Sequence, residues 1–317
     1  MKETDHRRPT GGIKMKTSTF LVPLVLLTFT GLSLSHAQSP VDQCVNYYAA
    51  QAYEKAIEEG KKAIKLYPSD LVSYVCLGAS YLQVGDYDQA INYLKNAEKY
   101  ALQKSDFMYI YGLLGLAYDG KGMLDNALFY YNKALMLARD LGNKRAESDY
   151  LSNIAMIFRR KGELDNALSY YKESLELKVD EKDRAPIYTN IAVIYLKQGN
   201  YQKAIEYFKR AMDIFDRYGN QHEYAITEIN LGNAYREIRD FQNAEHYLLD
   251  GLKRAQKVGD KYLEGTAYKY LGWLYRDKGN KVAAREYLIK ALRVFKEVGA
   301  SSNVVEVTSD LVYLGMP

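Results

Sequence analysis

The sequence predicts an all-α solenoid of about seven stacked helix–turn–helix units closed by a C-terminal helix. Three observations carry that prediction. A short motif returns at a nearly constant step along the chain. Each return is followed by a turn signal and a second apolar stretch. The composition is helical in character, with 31 Tyr against 6 Pro in 317 residues and no long β-branched runs.

In chain order, the first 37 residues read as a targeting segment rather than part of the fold. Lys14 and Lys16 precede the apolar run Phe20 to Leu27, which continues through Gly31 to Leu34 and ends in Ser35, His36 and Ala37, small residues where a signal peptidase needs them. Cleavage after Ala37 would leave Gln38 as the first residue of the mature chain. Met15 reads as a better start than Met1, because the polar stretch 1–14 has no part in a signal peptide, and a misassigned start explains it. The alternative is an uncleaved anchor, against which Pro23 and the shortness of the run both stand. The expected location is therefore outside the cytoplasm, periplasmic or secreted, and soluble after cleavage. Residues 1–37 also hold Lys2, Arg7, Arg8, Lys14 and Lys16 against Glu3 and Asp5, so most of the net charge of +4 belongs to them. The remainder is close to neutral, which argues against nucleic acid as a partner.

The repeats follow. A first, weaker unit covers Tyr47, Tyr53, Ala56, Ala63 and Pro68, with Cys44 at its small-residue position. The next six carry the motif at 75–81, 113–118, 153–158, 190–195, 230–235 and 270–275, each an apolar residue, then Gly or Ala, then an aromatic three residues on. The small anchors fall at Cys44, Gly78, Gly115, Ala155, Ala192, Gly232 and Gly272, so the step lengthens from 34 residues to 37 or 40. Small residues let two helix backbones approach, and the large ones a turn away fill the space between neighbouring pairs. Gly85, Gly122, Gly162, Gly199 and Gly279 mark the turn inside the unit, whereas Arg239-Asp240 replaces that glycine in the sixth. Aromatic pairs or near-pairs such as Tyr130-Tyr131, Tyr170-Tyr171 and Tyr207-Phe208 follow downstream of each turn. After Gly299, residues 301–317 read as a capping helix and tail, so the array proper runs over 38–300.

These motifs resemble the tetratricopeptide repeat family across nearly the whole mature chain. The longer step is similar to the repeats of kinesin light chain and of bacterial peptide-sensing regulators. That resemblance implies a protein-interaction scaffold in which an asparagine of the first helix, recurring in successive repeats, holds the backbone of an extended peptide.

The residues support the same reading independently. Asn153, Asn190 and Asn230 sit at one position of three successive repeats, two residues before the small anchor. At ~100° per residue they lie about 200° round the helix from it and point away from the packed core. An amide offers two donors and an acceptor, enough for both groups of a peptide unit. The same stripe holds Met156 and Arg160, Val193 and Lys197, Asn233, and, in the last repeat, Tyr270 and Trp273, while Arg159, Arg236 and Arg276 recur one position round. The expected peptide-binding set is thus Asn153, Asn190, Asn230, Asn233, Arg159, Arg160, Lys197, Arg236, Tyr270 and Trp273. The competing reading places Asn on a merely solvated face and packs Trp273 against a neighbouring repeat.

Catalysis finds no constellation. His222 and His246 lack metal-ligand spacing, and Gly120-Lys121-Gly122 lies at a repeat turn without the strand of a phosphate loop. No cofactor, metal or enzymatic activity is expected. Cys44 takes a packed position and Cys76 an inner-stripe one, so their facings differ. Export makes a disulfide between these first helices of adjacent repeats chemically possible, but two unpaired cysteines, one buried and one groove-lining, are favoured; Cα atoms more than ~7 Å apart would exclude the bridge. The function expected is an exported adaptor that binds an extended segment of a partner protein. A self-assembling envelope scaffold, suggested by the surplus of Tyr, and the sensor partner of a separately encoded membrane protein are the alternatives.

Overall fold

The computed structural model of the chain describes residues 39–178 and 180–315; the targeting segment, its cleavage point and the Met15 start lie outside the described residues. Among them are fifteen α-helices and one short 3-10 turn, with no strand. The fold is the α-solenoid that the repeats call for: seven consecutive helix pairs and a last single helix. Two compact units divide the chain between Ile157 and Phe158.

The unit before that boundary contains α1 (Pro40–Ala49), α2 (Tyr53–Leu66), α3 (Leu71–Val84), α4 (Tyr87–Glu98), α5 (Lys104–Gly120), α6 (Leu124–Asp140) and most of α7 (Lys144–Lys161). Local chemistry sets the ends. Ser39 and Asp42 form a reciprocal capping box across Pro40, and the Asp70 carboxylate accepts from the Ser73 amide at 2.8 Å to start α3. Gly85 ends α3 at φ 79°, in the left-handed region that a side chain disfavours. Each helix from α2 to α6 packs on the one before it, and the first helices of neighbouring pairs also touch, α1 against α3 and α3 against α5. The small anchors do what their spacing suggests. A Cβ on Gly115 would lie 2.5 Å from the Tyr131 ring, which is itself fully buried, so any larger residue would push α5 off α6. The aromatic positions stack in pairs across each turn, Tyr81 on Tyr93 and Tyr118 on Tyr130, with ring centroids 5.5 and 5.3 Å apart and planes 6° off parallel.

The cysteines correct the sequence reading. Cys44 and Cys76 are joined by a disulfide with Cα atoms 6.4 Å apart, and no free cysteine remains among the described residues. Cys76 does not line an open groove; it is 2 % exposed, packed with Cys44, Val45 and Ala56. Facings judged on each helix alone missed the contact of α1 with α3, which turns the small position of one toward the inner stripe of the next.

The unit after the boundary contains α8 (Leu164–Leu177), the 3-10 turn Glu181–Asp183, α9 (Ala185–Lys197), α10 (Tyr201–Arg217), α11 (Gln221–Glu237), α12 (Phe241–Val258), α13 (Lys261–Asp277), α14 (Lys281–Glu297) and α15 (Ser301–Tyr313). Asn200, Asn220, Asp240, Asp260 and Asn280 each cap the helix that follows through a side-chain oxygen, contributions of about 1 kcal/mol apiece. His222 reaches Asp260 at 2.9 Å, an ordinary surface contact between α11 and the start of α13. The final helix covers the face that α14 would otherwise leave open, burying Val307, Leu311 and Leu314 against Ala284, Leu288, Ala291 and Phe295.

Candidate functional site

The first helices α9, α11 and α13 stand side by side within the second unit, α9 touching α11 and α11 touching α13. Their register is held from behind. The hydroxyls of Thr189 and Thr227, both buried, meet at 3.1 Å between α9 and α11, and Thr227 also donates to the Glu223 carbonyl at 2.8 Å. The residues next after Thr189 and three after Thr227 are Asn190 and Asn230, so this bond fixes the spacing of their amides. Both asparagines are half-buried, and no side chain or backbone group among the described residues takes a hydrogen bond from either. Val193 and the exposed Lys197 continue the stripe on α9, and Lys197 has no ion-pair partner among the described residues.

The far end of this surface is occupied. Asn233 is buried and its Oδ1 accepts from Arg236 Nε at 3.0 Å. Arg236, also buried, is clamped between the carboxylates of Asp277 and Glu237 and lies 5.5 Å above the Trp273 ring. Arg236 is therefore a structural cation, and Asn233 its orienting partner. Helix α15 places Glu306 and Asp310, one turn apart, on the stripe of α13. Lys269 donates to Glu306 at 2.8 Å, the Trp273 indole N–H donates to Asp310 at 2.6 Å, and Arg276 lies 3.7 Å from the same carboxylate. The Tyr270 ring lies tilted beside Trp273, centroids 5.3 Å apart; burial, and then the nearby Glu306 charge, push its phenol up to about 12. The single Trp thus stands half-buried, with its indole N–H committed to the capping helix. Glu306 and Asp310 were legible only as two acids one helical turn apart in the final helix.

Asn153 lies on the portion of α7 in the first unit, half-buried and likewise without a hydrogen-bond partner among the described residues. Arg159 and Arg160, in the last turn of α7, belong to the second unit, the former half-buried and the latter exposed. Among the described residues no group of His, Cys, Asp or Glu could hold a metal ion, and no helix is long and apolar enough to cross a membrane.

Paired helices at a repeating step, with small residues at the crossing and polar side chains facing outward from the first helices, define a helical-repeat interaction scaffold. A profile described as tetratricopeptide repeat matches residues 106–178, 183–257 and 225–297, and a second with the same description matches 60–92. The chain belongs to the tetratricopeptide repeat family. A curated relative, the small glutamine-rich tetratricopeptide repeat-containing protein 2 of Saccharomyces cerevisiae, is 31 % identical over 104 residues, a stretch that spans 33 % of this chain and only 29 % of the yeast protein. Among solved structures, the apo quorum sensor NprR of B. thuringiensis aligns at 18 % identity with a TM-score of 0.63, covering 87 % of this chain and 86 % of that one. A Rap conjugation gene regulator in complex with a peptide aligns at 17 % identity and a TM-score of 0.57, covering 84 % and 75 %. At those identities the likeness is one of fold.

Proposed function

We propose that this chain is an exported adaptor that binds an extended segment of another protein along α9 and α11, and that it is a binding module and not an enzyme. The observation that carries the reading is the pair Asn190 and Asn230: equivalent positions, fixed register, and amides with no partner of their own. A partly buried amide left without a partner is costly unless water or a ligand serves it. A peptide backbone presents the matching donor and acceptor at each residue. The likeness to a regulator solved with a peptide supports the same reading. Export is supported by the leader-like first 37 residues and by a buried disulfide, a bond that persists in oxidising compartments.

The test is an array of unstructured decapeptides probed with the chain from Gln38 onward and with Asn190→Ala/Asn230→Ala. These half-exposed substitutions leave the fold intact. Peptides retained by the parent should be lost from the variant, at about tenfold or more in affinity. Equal retention by both would remove the amides from any role and leave the scaffold reading in place.

A further inference from the structure

Where α11, α13 and α15 end, an open cleft of about 660 Å³ is lined by Arg239, Arg276, Asp277, Ser309, Asp310 and Tyr313. Its two acids are already served. Asp277 accepts from Arg236 and, at 3.1 Å, from Arg276 Nε. Asp310 accepts from Trp273 and lies beside Arg276. Arg239, Ser309 and Tyr313 are exposed, and their side chains have no hydrogen-bond or ion-pair partner among the described residues. The cleft therefore has spare donors and no spare carboxylate. A guanidinium offers donors only, in the fork geometry that fits a carboxylate.

The backbone gives a second, independent observation. Arg239 holds φ 61°, the left-handed conformation that the equivalent turns fill with Gly85, Gly122, Gly162, Gly199 and Gly279. An arginine in that place works against local backbone preference, and its side chain lines the cleft.

We propose that this cleft is a carboxylate-binding site anchored by Arg239, with Ser309 and Tyr313 as flanking donors, separate from the asparagine surface. The negative ends of α11, α13 and α15 oppose an anion here, but an end effect at a solvated surface is weaker than a bidentate charge-assisted bond. A carboxylate reaches such a site as a chain end or as an acidic side chain, and the test separates them. Three tetrapeptides labelled at the amino end with the uncharged dye nitrobenzoxadiazole would be titrated by anisotropy: Gly-Ser-Gly-Phe with a free terminus, the same peptide amidated, and amidated Gly-Ser-Glu-Phe. One or both acid-bearing peptides should bind about tenfold tighter than the neutral one, and which one does identifies the source. Arg239→Gly, which suits the turn and so folds, should abolish that preference, while Asn190→Ala/Asn230→Ala should leave it unchanged. A neutral peptide that binds as well as the acids, no binding by any of them, or a preference that survives Arg239→Gly overturns the proposal.

Discussion

Arg239 also bears on stability. Replacing it by glycine removes a left-handed L-residue, and the folded chain should gain about 1 kcal/mol, read as a higher urea midpoint at unchanged slope. A midpoint that stays or falls would mean that the side chain stabilises the turn. Glu228 on α11 shows a different balance. It is 4 % exposed, and burial raises its carboxyl, against the pull of Arg254 Nε at 3.0 Å, to about 7. An acid whose folded pKa lies above its unfolded value near 4.5 keeps its proton in the folded state while the unfolded chain has lost it. Stability then falls as pH rises from about 4.5 to 7, by about 3 kcal/mol in all. Urea midpoints of the parent across that window should decline, and Glu228→Gln should flatten the decline. A parallel slope in the variant would show that the ion pair with Arg254 holds Glu228 charged.

Pairs of helices were legible in the sequence because each requirement of the pair has its own residue type. Gly115 must be small for Tyr131, Tyr118 must be flat for Tyr130, and Gly85 must accept the left-handed turn. Contacts between pairs were less legible, since they depend on how one first helix leans on the next. That is why the bridge from α1 to α3 does not follow from the facing of each helix alone, and why the sequence leaves Trp273 open between an anchor and a packing residue until α15 brings Asp310 to it. The bridge has a measurable effect at this scale. Closing the loop between residues 32 apart stabilises by about 4 kcal/mol in a chain-entropy account. In a repeat array that stabilisation stays near its source. Cys44→Ala/Cys76→Ala should therefore raise amide hydrogen exchange in α1 and α2 while leaving α5 and α6 protected. Equal loosening of both pairs would show that the unit unfolds as one body.

Taken as a whole, the chain spends much of its unusual tyrosine content internally. Tyr81 with Tyr93, Tyr118 with Tyr130, Tyr235 with Tyr247 and Tyr275 with Tyr287 stack within their own repeats, so an abundance that suggested contacts with other molecules has a packing role at these positions. The candidate site was legible only in part. Asn190 and Asn230 announce themselves by recurrence, a property of the sequence itself. Arg236 and Asn233 recur or align just as plainly, yet face inward, because Asp277 and Glu237 were there to neutralise a buried guanidinium. A stripe of one chemistry on a helical wheel therefore holds both open and occupied positions, and only the neighbours tell them apart. The placement of Trp273 has an optical consequence. One indole lies among many phenols, hydrogen-bonded to Asp310 of the last helix and beside Lys269, Arg236 and Arg276, so its emission colour is set by charges that α15 helps to hold in place. Light absorbed by the tyrosines around it drains to that single emitter, and the colour of its glow reports, without any label, whether the lid on the array is shut.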